Sequence, residues 1–564
     1  MTEAKEKKPM AESFSLVDRP WIRCQLTDGT EAEVSIRQVF NGSTGIRGVR
    51  GDSPTQDYAV LRLLLAIYWR AHVPDAQPAP GETYDHGGWF ETQLAGVDAG
   101  EADAAVLEYL EKWGDRFDLL HPEQPFMQVA DLATGSGKIS GVSRMIPEAE
   151  SDDFTMRAGA GRQSLGLAEA ARWLVHLQAY DYSGIKSGAL GDPRVKGGRG
   201  YPIGTGWSGM TGGTVIVGET LRHTLLFNTV EEALAREDDH PVWERQPDDP
   251  AERKDPTPKG AADLATWQSR RVRLHTEGDL VTGVLVSNGD KIPDAGANVS
   301  DDPMTPYRYS RNKSKRDHVV YYPRPYDLER TMWRSLEPLI IAEKDEGYGE
   351  ESDSRSKKDL PPKRPRTLDQ VAEFENDDAA PDWVDLQLVS TEYGPQASTM
   401  GTTVATHIEL PRSLLAPSAV STRRTLIDQA AATSDAAVAL GRFAGSLLEA
   451  AGGDYEFQSS PTDALLKELE PEFLEWIGKL DREGLDQAVR AWQSTVQETI
   501  LSQARVLLRG AGPKALVGKT VPGRGDGPDS IVSAGSAYRS LQVALRKALP
   551  TTAVETNPET SEEK

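Results

Sequence analysis

The chain has 564 residues and a formal net charge of −24, with 38% hydrophobic and 27% charged residues. This length exceeds one ordinary hydrophobic core, so we expect two or more domains. Cys24 is the only cysteine, which excludes an internal disulfide and a cysteine-rich metal site and is typical of a reducing compartment.

The first part of the chain mixes strand and helix patterns. Alternating apolar and polar residues around Asp28-Gly29 predict a β-hairpin within residues 14–40. Apolar periodicity predicts helices at about 57–71, 103–113 and 165–180. Residues 212–228 are predicted as buried β structure or as a strand leading into a short helix, and residues 266–290 as alternating strands. Segment 343–382 is rich in charge and proline, which predicts a flexible insertion.

From about Pro417 the pattern becomes helical. Four segments are predicted as helices, with Pro471 as a break or kink: 417–451, 461–483, 484–511 and 530–549. Such a run with few strand signals predicts a four-helix bundle. The expected fold class is therefore α+β, with a large mixed α/β domain over 1–410, a four-helix bundle over 411–550 and a disordered tail over 551–564.

The hydropathy pattern does not indicate a membrane protein. No signal-peptide apolar region is present in MTEAKEKKPMAESF, and the longest apolar run, 63–69, is far shorter than the ~20 residues of a membrane span. We expect a cytoplasmic protein without a membrane partner.

Catalytic motifs are weak throughout. The nine histidines lack metal-ligand spacing, and the stretch ATGSGKIS departs from a phosphate loop because Ile139 follows Lys138 where Ser or Thr is required. We therefore expect no catalytic metal and no cofactor. Gly159 and Gly161, just before a predicted helix, leave backbone N–H groups free to hold a phosphate.

Two regions carry more positive charge than their surroundings. Residues 184–213 contain 11 glycines together with Lys186, Arg194, Lys196 and Arg199, a composition that suits either polyanion contact or a flexible surface loop. Between Arg505 and Lys547, eight basic residues face only two acidic ones. Charge alone favours a solvated helix face there, with a nucleic-acid contact as the alternative.

The stretch YGPQAS, residues 393–398, predicts a tight turn at Gly394-Pro395 that presents the uncharged side chain of Gln396. Taken alone, this residue is most simply an ordinary hydrogen-bonding turn glutamine.

Five segments, taken in order, resemble the CasA family: FSLVDRPWIRC, DRFDLLHPEQPFMQ, IKSG, LATWQSRRVRL and YGPQAS. CasA is the large subunit of Cascade, the type I-E CRISPR surveillance complex. The resemblance implies a non-enzymatic DNA reader that recognises the protospacer-adjacent motif (PAM) of double-stranded DNA through the minor groove and opens the duplex to start R-loop formation. It also implies four kinds of partner: the CRISPR guide RNA, target double-stranded DNA, the other Cascade subunits, and a helicase–nuclease recruited after R-loop formation.

The resemblance assigns roles to particular positions. The duplex-opening wedge falls on Gln396, flanked by Pro395 and Ala397, and the PAM loop falls on Ser183 and Gly184 with Lys186 beside it. The lysine that probes the minor groove is Lys291, with Lys313 as the alternative. The loop that contacts the guide-RNA handle comprises Phe154, Thr155 and Met156, leading to Gly159 and Gly161. The bundle would follow DNA through Arg505, Arg509, Arg539 and Arg546. Some relatives have a cysteine cluster that suggests zinc between the WQ motif of LATWQSRRVRL and the minor-groove lysine. This sequence has no cysteine in that region, so no zinc is expected.

Two other functions remain open from the sequence. The first is a nucleotide-binding transferase that uses the glycine-rich region, for which nucleotides would raise the melting temperature of the isolated chain. The second is a purely architectural subunit, which would not crosslink to target duplex.

Overall fold

The computed structural model describes residues 13–42, 45–78, 83–147, 157, 159–315, 317–326, 331–342, 345, 360–373, 382–480, 484–521 and 529–551. The chain divides into two compact units. The first comprises Met1–Leu328 and Ala342–Ile408, and the second comprises Glu329–Ile341 and Glu409–Lys564. Within the described part of the chain, no helix combines the length and apolar character needed to cross a membrane.

The first unit is built on three-stranded sheets and short two-stranded ones. In each three-stranded sheet the central strand pairs with two partners, in the orders Glu31–Val34, Ile22–Leu26, Ile46–Val49; Leu165–Gly166, Leu280–Asn288, Arg270–Glu277; and Met400–Pro411, Trp383–Tyr393, Gly213–Val217. The two-stranded pairs are Lys186–Ser187 with Arg199–Gly200 and Tyr307–Tyr309 with Tyr321–Pro323.

The predicted hairpin around Asp28-Gly29 is confirmed, with Ile22 paired to Val34 across the turn. The pattern beyond it was misleading, because residues expected to continue as a strand form the helix Ile36–Phe40. Ser35 and Gln38 make a capping box, in which each side chain bonds the other residue's backbone N–H and starts a helix.

A buried helix lies at the centre of the first unit. The helix Pro54–His72 begins at the N-cap Ser53, and its middle residues 63–67 are all fully buried. The predicted helices near 103–113 and 165–180 are present as Ala104–Trp113 and Leu167–Tyr180. Among the described residues, the first unit also contains the helices and helical turns Val73–Ala76, His86–Asp98, Gly114–Phe117, Val142–Met145, Ala160–Gln163, Trp207–Thr211, Leu221–Phe227, Glu231–Leu234, Ala261–Ala265, Pro293–Gly296, Arg366–Glu373 and Pro395–Ala397.

The expectation of a flexible insertion over 343–382 is wrong for part of that segment. The helix Arg366–Glu373 lies within it, and its Leu368 and Val371 are buried. These apolar residues recur at helical spacing, so one face packs into the first unit, where the Gln370 amide also bonds the His86 ring at 2.8 Å. Most of the remaining positions of 343–382 lie outside the described residues.

The second unit contains the predicted helical bundle. The long helix Val420–Ala450 packs against the helices Ser459–Ile477, Leu485–Gly510 and Ala534–Ala548. Of the break or kink predicted at Pro471, the break is absent: the helix Ser459–Ile477 runs through this residue, with the buried Leu469 and Phe473 on either side of it. The unit also contains Thr331–Ile340, Arg412–Leu415, Pro417–Ala419, Gly512–Val517 and the hairpin of Lys519–Val521 with Ser530–Val532. Of the tail expected over 551–564, only Thr551 is described.

Candidate nucleic-acid interface

The stretch YGPQAS forms the end of a long β-hairpin between the strands Trp383–Tyr393 and Met400–Pro411. The Gly394 N–H donates to the Thr399 carbonyl at 3.0 Å, and the Ala397 N–H donates to the Gly394 carbonyl at 2.8 Å. Gln396 is exposed and has φ 59° and ψ 24°, and Ala397 has φ 52°. Left-handed backbone angles are unfavourable for side-chain-bearing residues, so the surrounding hydrogen bonds hold this turn in a strained shape.

The glycine-rich stretch meets this turn directly. The Ser183 N–H donates to the Ala397 carbonyl at 2.6 Å. The Ser183 hydroxyl accepts a hydrogen bond from the Gly204 N–H at 2.8 Å, and the Tyr393 hydroxyl donates to the Tyr180 carbonyl at 2.8 Å. The structure therefore brings Ser183 and Gly184 beside Pro395–Ala397, although the two segments are far apart in sequence.

A buried ion cluster lies under the glycine-rich stretch, centred on the Asp181 carboxylate. Arg270 Nε lies 2.5 Å from its Oδ2, Arg144 Nη2 lies 2.7 Å from its Oδ1, and Lys186 Nζ lies 3.1 Å from its Oδ2. Burial by itself would raise the pKa of Asp181, but the three cations hold that pKa well below its ordinary value. The carboxylate is therefore ionised and fixes the start of the loop.

Lys186 does not occupy the surface position that the sequence suggested. Its residue is 5% exposed, and its ammonium lies 3.5 Å from the centre of the Tyr182 ring. Burial lowers the pKa of Lys186, and the charges of Arg144 and Arg270 act in the same direction. The attraction of Asp181 opposes them, and the resulting pKa is about 7. The side chain is drawn inward because Asp181 and the aromatic ring offer it partners there. Lys186 thus supports the loop from below and is not placed for direct contact with DNA.

Of the two candidate lysines, Lys291 is the one linked to the glycine-rich stretch. Lys291 is exposed, and its backbone N–H donates to Glu252 Oε1 at 2.9 Å. Arg194, within the glycine-rich stretch, lies 2.9 Å from the same oxygen and donates to the Gly289 carbonyl at 3.0 Å. Lys313 is also exposed but lies in the turn after the strand Tyr307–Tyr309.

The loop expected to contact the guide-RNA handle is described only in part. Phe154, Thr155 and Met156 lie outside the described residues. Gly159, at φ +56°, and Gly161 are exposed with open space where a side chain would stand. Between them begins the four-residue helix Ala160–Gln163.

The basic residues of the second unit lie on its surface. Arg505 and Arg509 are on the helix Leu485–Gly510, Arg539 and Arg546 are on the helix Ala534–Ala548, and all four are exposed. Arg509 Nε donates to the Arg505 carbonyl at 3.2 Å. No carboxylate among the described residues forms an ion pair with any of the four, so their charge is available to a polyanion.

Sequence reasoning missed the residues that hold the site together. Asp181 and Arg144 have no motif around them, and Arg270 lies in the family-like stretch LATWQSRRVRL without an assigned role. The available signal was the adjacent pair Arg270-Arg271 opening a strand, because buried charges in a strand require partners. In the described ranges, no group of three or more His, Cys, Asp or Glu side chains is arranged to hold a metal ion.

Comparison with known proteins identifies the family. The family model described as CRISPR-associated protein Cse1 matches residues 15–503. The chain belongs to this Cse1 family. The resemblance to CasA seen in the sequence is therefore confirmed. A Thermus thermophilus relative named CRISPR-associated protein CasA/Cse1 is 30% identical over 340 residues, which is 58% of this chain and 60% of the relative. The match thus spans less than two thirds of that relative's length.

Solved Cse1 structures have the same fold. Cse1 from Thermobifida fusca is 36% identical, with a TM-score of 0.80, and the match covers 96% of this chain and 98% of that one. Cse1 from Acidimicrobium ferrooxidans is 24% identical, with a TM-score of 0.75 over 96% and 99% of the two chains. A chain of a structure titled CRISPR RNA-guided surveillance complex is 19% identical, with a TM-score of 0.56 over 97% of each chain, and shares the fold.

Proposed function

We propose that this chain is the large subunit of a type I-E CRISPR RNA-guided surveillance complex. In this role it is not an enzyme. It reads the PAM of double-stranded DNA from the minor groove, opens the first base pair of the target and helps to recruit a helicase–nuclease. The hydrogen bond from the Ser183 N–H to the Ala397 carbonyl carries the proposal, because it joins the loop that would read the PAM to the turn that would open the duplex.

The chemistry of the loop suits the minor groove. That groove presents mainly hydrogen-bond acceptors and distinguishes A·T from G·C pairs, with little further detail. Glycine lets the main chain approach a groove closely, and the exposed Lys291 adds a positive charge nearby. Recognition of the groove through main-chain N–H groups and one lysine should therefore tolerate several PAM sequences. The net charge of −24 keeps non-specific DNA affinity low, which favours brief sampling.

The turn suits a wedge. Separating a base pair requires breaking a stacking step worth ~1.4 kcal/mol on average before guide pairing compensates. Inserted side chains part base steps in this way in other DNA-binding proteins. Gln396 is exposed on a turn that backbone hydrogen bonds brace, so little backbone conformational entropy is lost on insertion. Its amide is uncharged and can both donate to and accept from exposed base edges.

The remaining partners follow from the other assigned surfaces. Arg505, Arg509, Arg539 and Arg546 would bind phosphates of a DNA strand along the bundle. Phe154, Thr155 and Met156, with Gly159 and Gly161, would contact the handle of the guide RNA. Further Cascade subunits would complete the ribonucleoprotein particle.

Site-specific photocrosslinking in the assembled complex tests the proposal. A benzoylphenylalanine is introduced at Ile185, which is 57% exposed beside the loop, or at Ser398 beside the wedge. The control position is Trp383, which is 43% exposed and begins the strand Trp383–Tyr393, at the end away from the turn. We expect crosslinks to PAM-bearing duplex from positions 185 and 398 and none from 383. An architectural subunit would instead give no crosslinks, or crosslinks that do not depend on the PAM.

A further inference from the structure

Two consecutive arginines, Arg270 and Arg271, open the strand Arg270–Glu277, and each is 1% exposed. Successive side chains of a strand point to opposite faces of the sheet. The pair therefore reaches two different parts of the first unit from one point in the chain. Fully buried guanidinium groups persist only where many acceptors surround them, so the identity of those acceptors indicates what each arginine does.

Arg270 binds the chain on both sides of the loop that contains Ser183 and Gly184. Its Nη2 donates to the carbonyls of Asp181, Tyr182 and Gly204 at 2.9, 2.8 and 2.9 Å. Its Nε donates to the Asp181 carboxylate at 2.5 Å. The two chain segments that flank Ser183 in space, residues 181–182 and Gly204, are thus tied to one guanidinium. Ser183 then completes the link through its own bonds to Gly204 and Ala397.

Arg271 binds the segment that carries Lys291. Its Nη2 donates to Asp290 Oδ1 at 2.7 Å and to the Ala251 carbonyl at 2.8 Å, and its Nε donates to the Asp249 carbonyl at 2.8 Å. The Asp290 carbonyl also accepts from Trp267 Nε1 at 2.9 Å. The residue immediately before Lys291 is therefore held through both its side chain and its main chain.

We infer that Arg270 and Arg271 are positioning residues for PAM discrimination, each fastening one of the two DNA-reading elements. Arg270 fixes the main chain at Ser183 and Gly184, and Arg271 fixes the base of Lys291. The inference rests on the proposed function. It adds that discrimination depends on two buried side chains that do not touch DNA and that lie next to each other in sequence.

The physical reason is the flexibility of the elements themselves. A stretch with 11 glycines in residues 184–213 has many accessible backbone conformations, and ordering it upon binding would cost free energy for every PAM alike. A guanidinium that binds several carbonyls at once removes this freedom before DNA arrives. Hydrogen-bond donors that are already in position then bind a matching groove pattern more tightly than a mismatched one.

The first test replaces Arg270 with lysine in the complete, guide-loaded complex. Lysine keeps the charge opposite Asp181 but cannot form the forked set of hydrogen bonds to three carbonyls. We expect the ratio of affinities for cognate and scrambled PAM duplexes to fall about tenfold, the effect of losing hydrogen bonds from a charged donor. The matched control is R273K, on the same strand and only half-buried, which should keep the wild-type ratio.

The second test is a double-mutant cycle between Arg271 and Lys291. In the wild-type background, K291A should broaden the PAM profile in a library binding assay. In the R271K background, K291A should have at most a third of that effect, because Lys291 is no longer held in position in that background. Additive effects of the two substitutions would overturn the role assigned to Arg271. A merely structural role predicts equal loss for every PAM and leaves the cycle additive.

Each remaining outcome is informative. An R270K complex that assembles and keeps the wild-type ratio overturns the role of Arg270. If R270K fails to assemble, G204A decides, because Gly204 has φ +102° and a side chain there disturbs the same anchored segment without touching the buried arginine. An unchanged ratio in G204A would then overturn the inference. If K291A and Q396A themselves leave PAM-dependent binding and opening unchanged, the proposed function fails, whatever R270K does.

Discussion

Replacing Gln396 with alanine gives the sharpest prediction from the hairpin turn. The substitution removes the side chain beyond Cβ from an exposed residue and leaves the turn hydrogen bonds in place. Stability should therefore change by no more than ~0.5 kcal/mol. If the amide compensates for one broken stacking step, its loss raises the opening barrier by ~1.4 kcal/mol and slows opening about tenfold.

The assay follows 2-aminopurine fluorescence at the first target base pair beside the PAM, using wild-type and Q396A complexes. A second duplex carries a mismatch at that same pair, so no base pair has to be broken. We expect Q396A to be about tenfold slower on the paired duplex, by the stacking argument above, and equal to wild type on the mismatched one. Equal rates for the two complexes on paired DNA, or an equal defect on both duplexes, would refute the wedge.

A glycine variant separates the side chain from the strain beneath it. Gln396 has φ 59°, a conformation that costs a side-chain-bearing residue roughly 1–2 kcal/mol and costs glycine little. Q396G should therefore be at least as resistant to urea as Q396A, because relief of strain offsets the greater freedom of its unfolded chain. It should open DNA as slowly as Q396A. Restored opening in Q396G would mean that backbone strain, and not the amide, drives separation.

Three further predictions concern charge and burial. Replacing Arg539 and Arg546 with glutamate should weaken DNA binding for all target sequences. The slope of log K against log salt should become shallower by about 0.9 for each phosphate that is no longer neutralised. An unchanged slope in a salt titration would remove these residues from the DNA path. Burial lowers the pKa of His72, but hydrogen bonds to Asp103 and Asp75 overcome it and raise that pKa to about 9 from the ordinary 6.5. Because the folded-state pKa is the higher one, the stabilisation is complete below pH 6.5 and is lost as pH rises through 9, by up to roughly 3 kcal/mol. The difference between wild type and H72Q in urea unfolding free energy should shrink over that window, and a constant difference would contradict the assignment. Cys24 is fully buried, and burial, aided by Asp57, raises its pKa to about 12, so dithionitrobenzoate should label it at pH 8 only after urea is added.

Local patterns predicted much of the secondary structure because they depend on neighbours in the chain. The Asp28-Gly29 hairpin follows from a turn signal between alternating residues, and the helix Pro54–His72 and the four long helices of the second unit follow from apolar periodicity. The errors have local causes as well. Gln38 completes a capping box that a strand pattern does not reveal, and the strongly charged surroundings of Arg366–Glu373 concealed its apolar face.

The sequence by itself determined the family, the α+β class and the turn that carries Gln396, because each depends on residues close together in the chain or on their order. Only the tertiary structure decided that the Ser183 N–H meets the Ala397 carbonyl, that Lys186 turns inward to Asp181, and that Arg270 holds the loop. These facts follow from which buried donors and acceptors come together when distant segments pack. No local pattern encodes such partnerships, since a buried charge takes whichever counter-charge the fold brings to it.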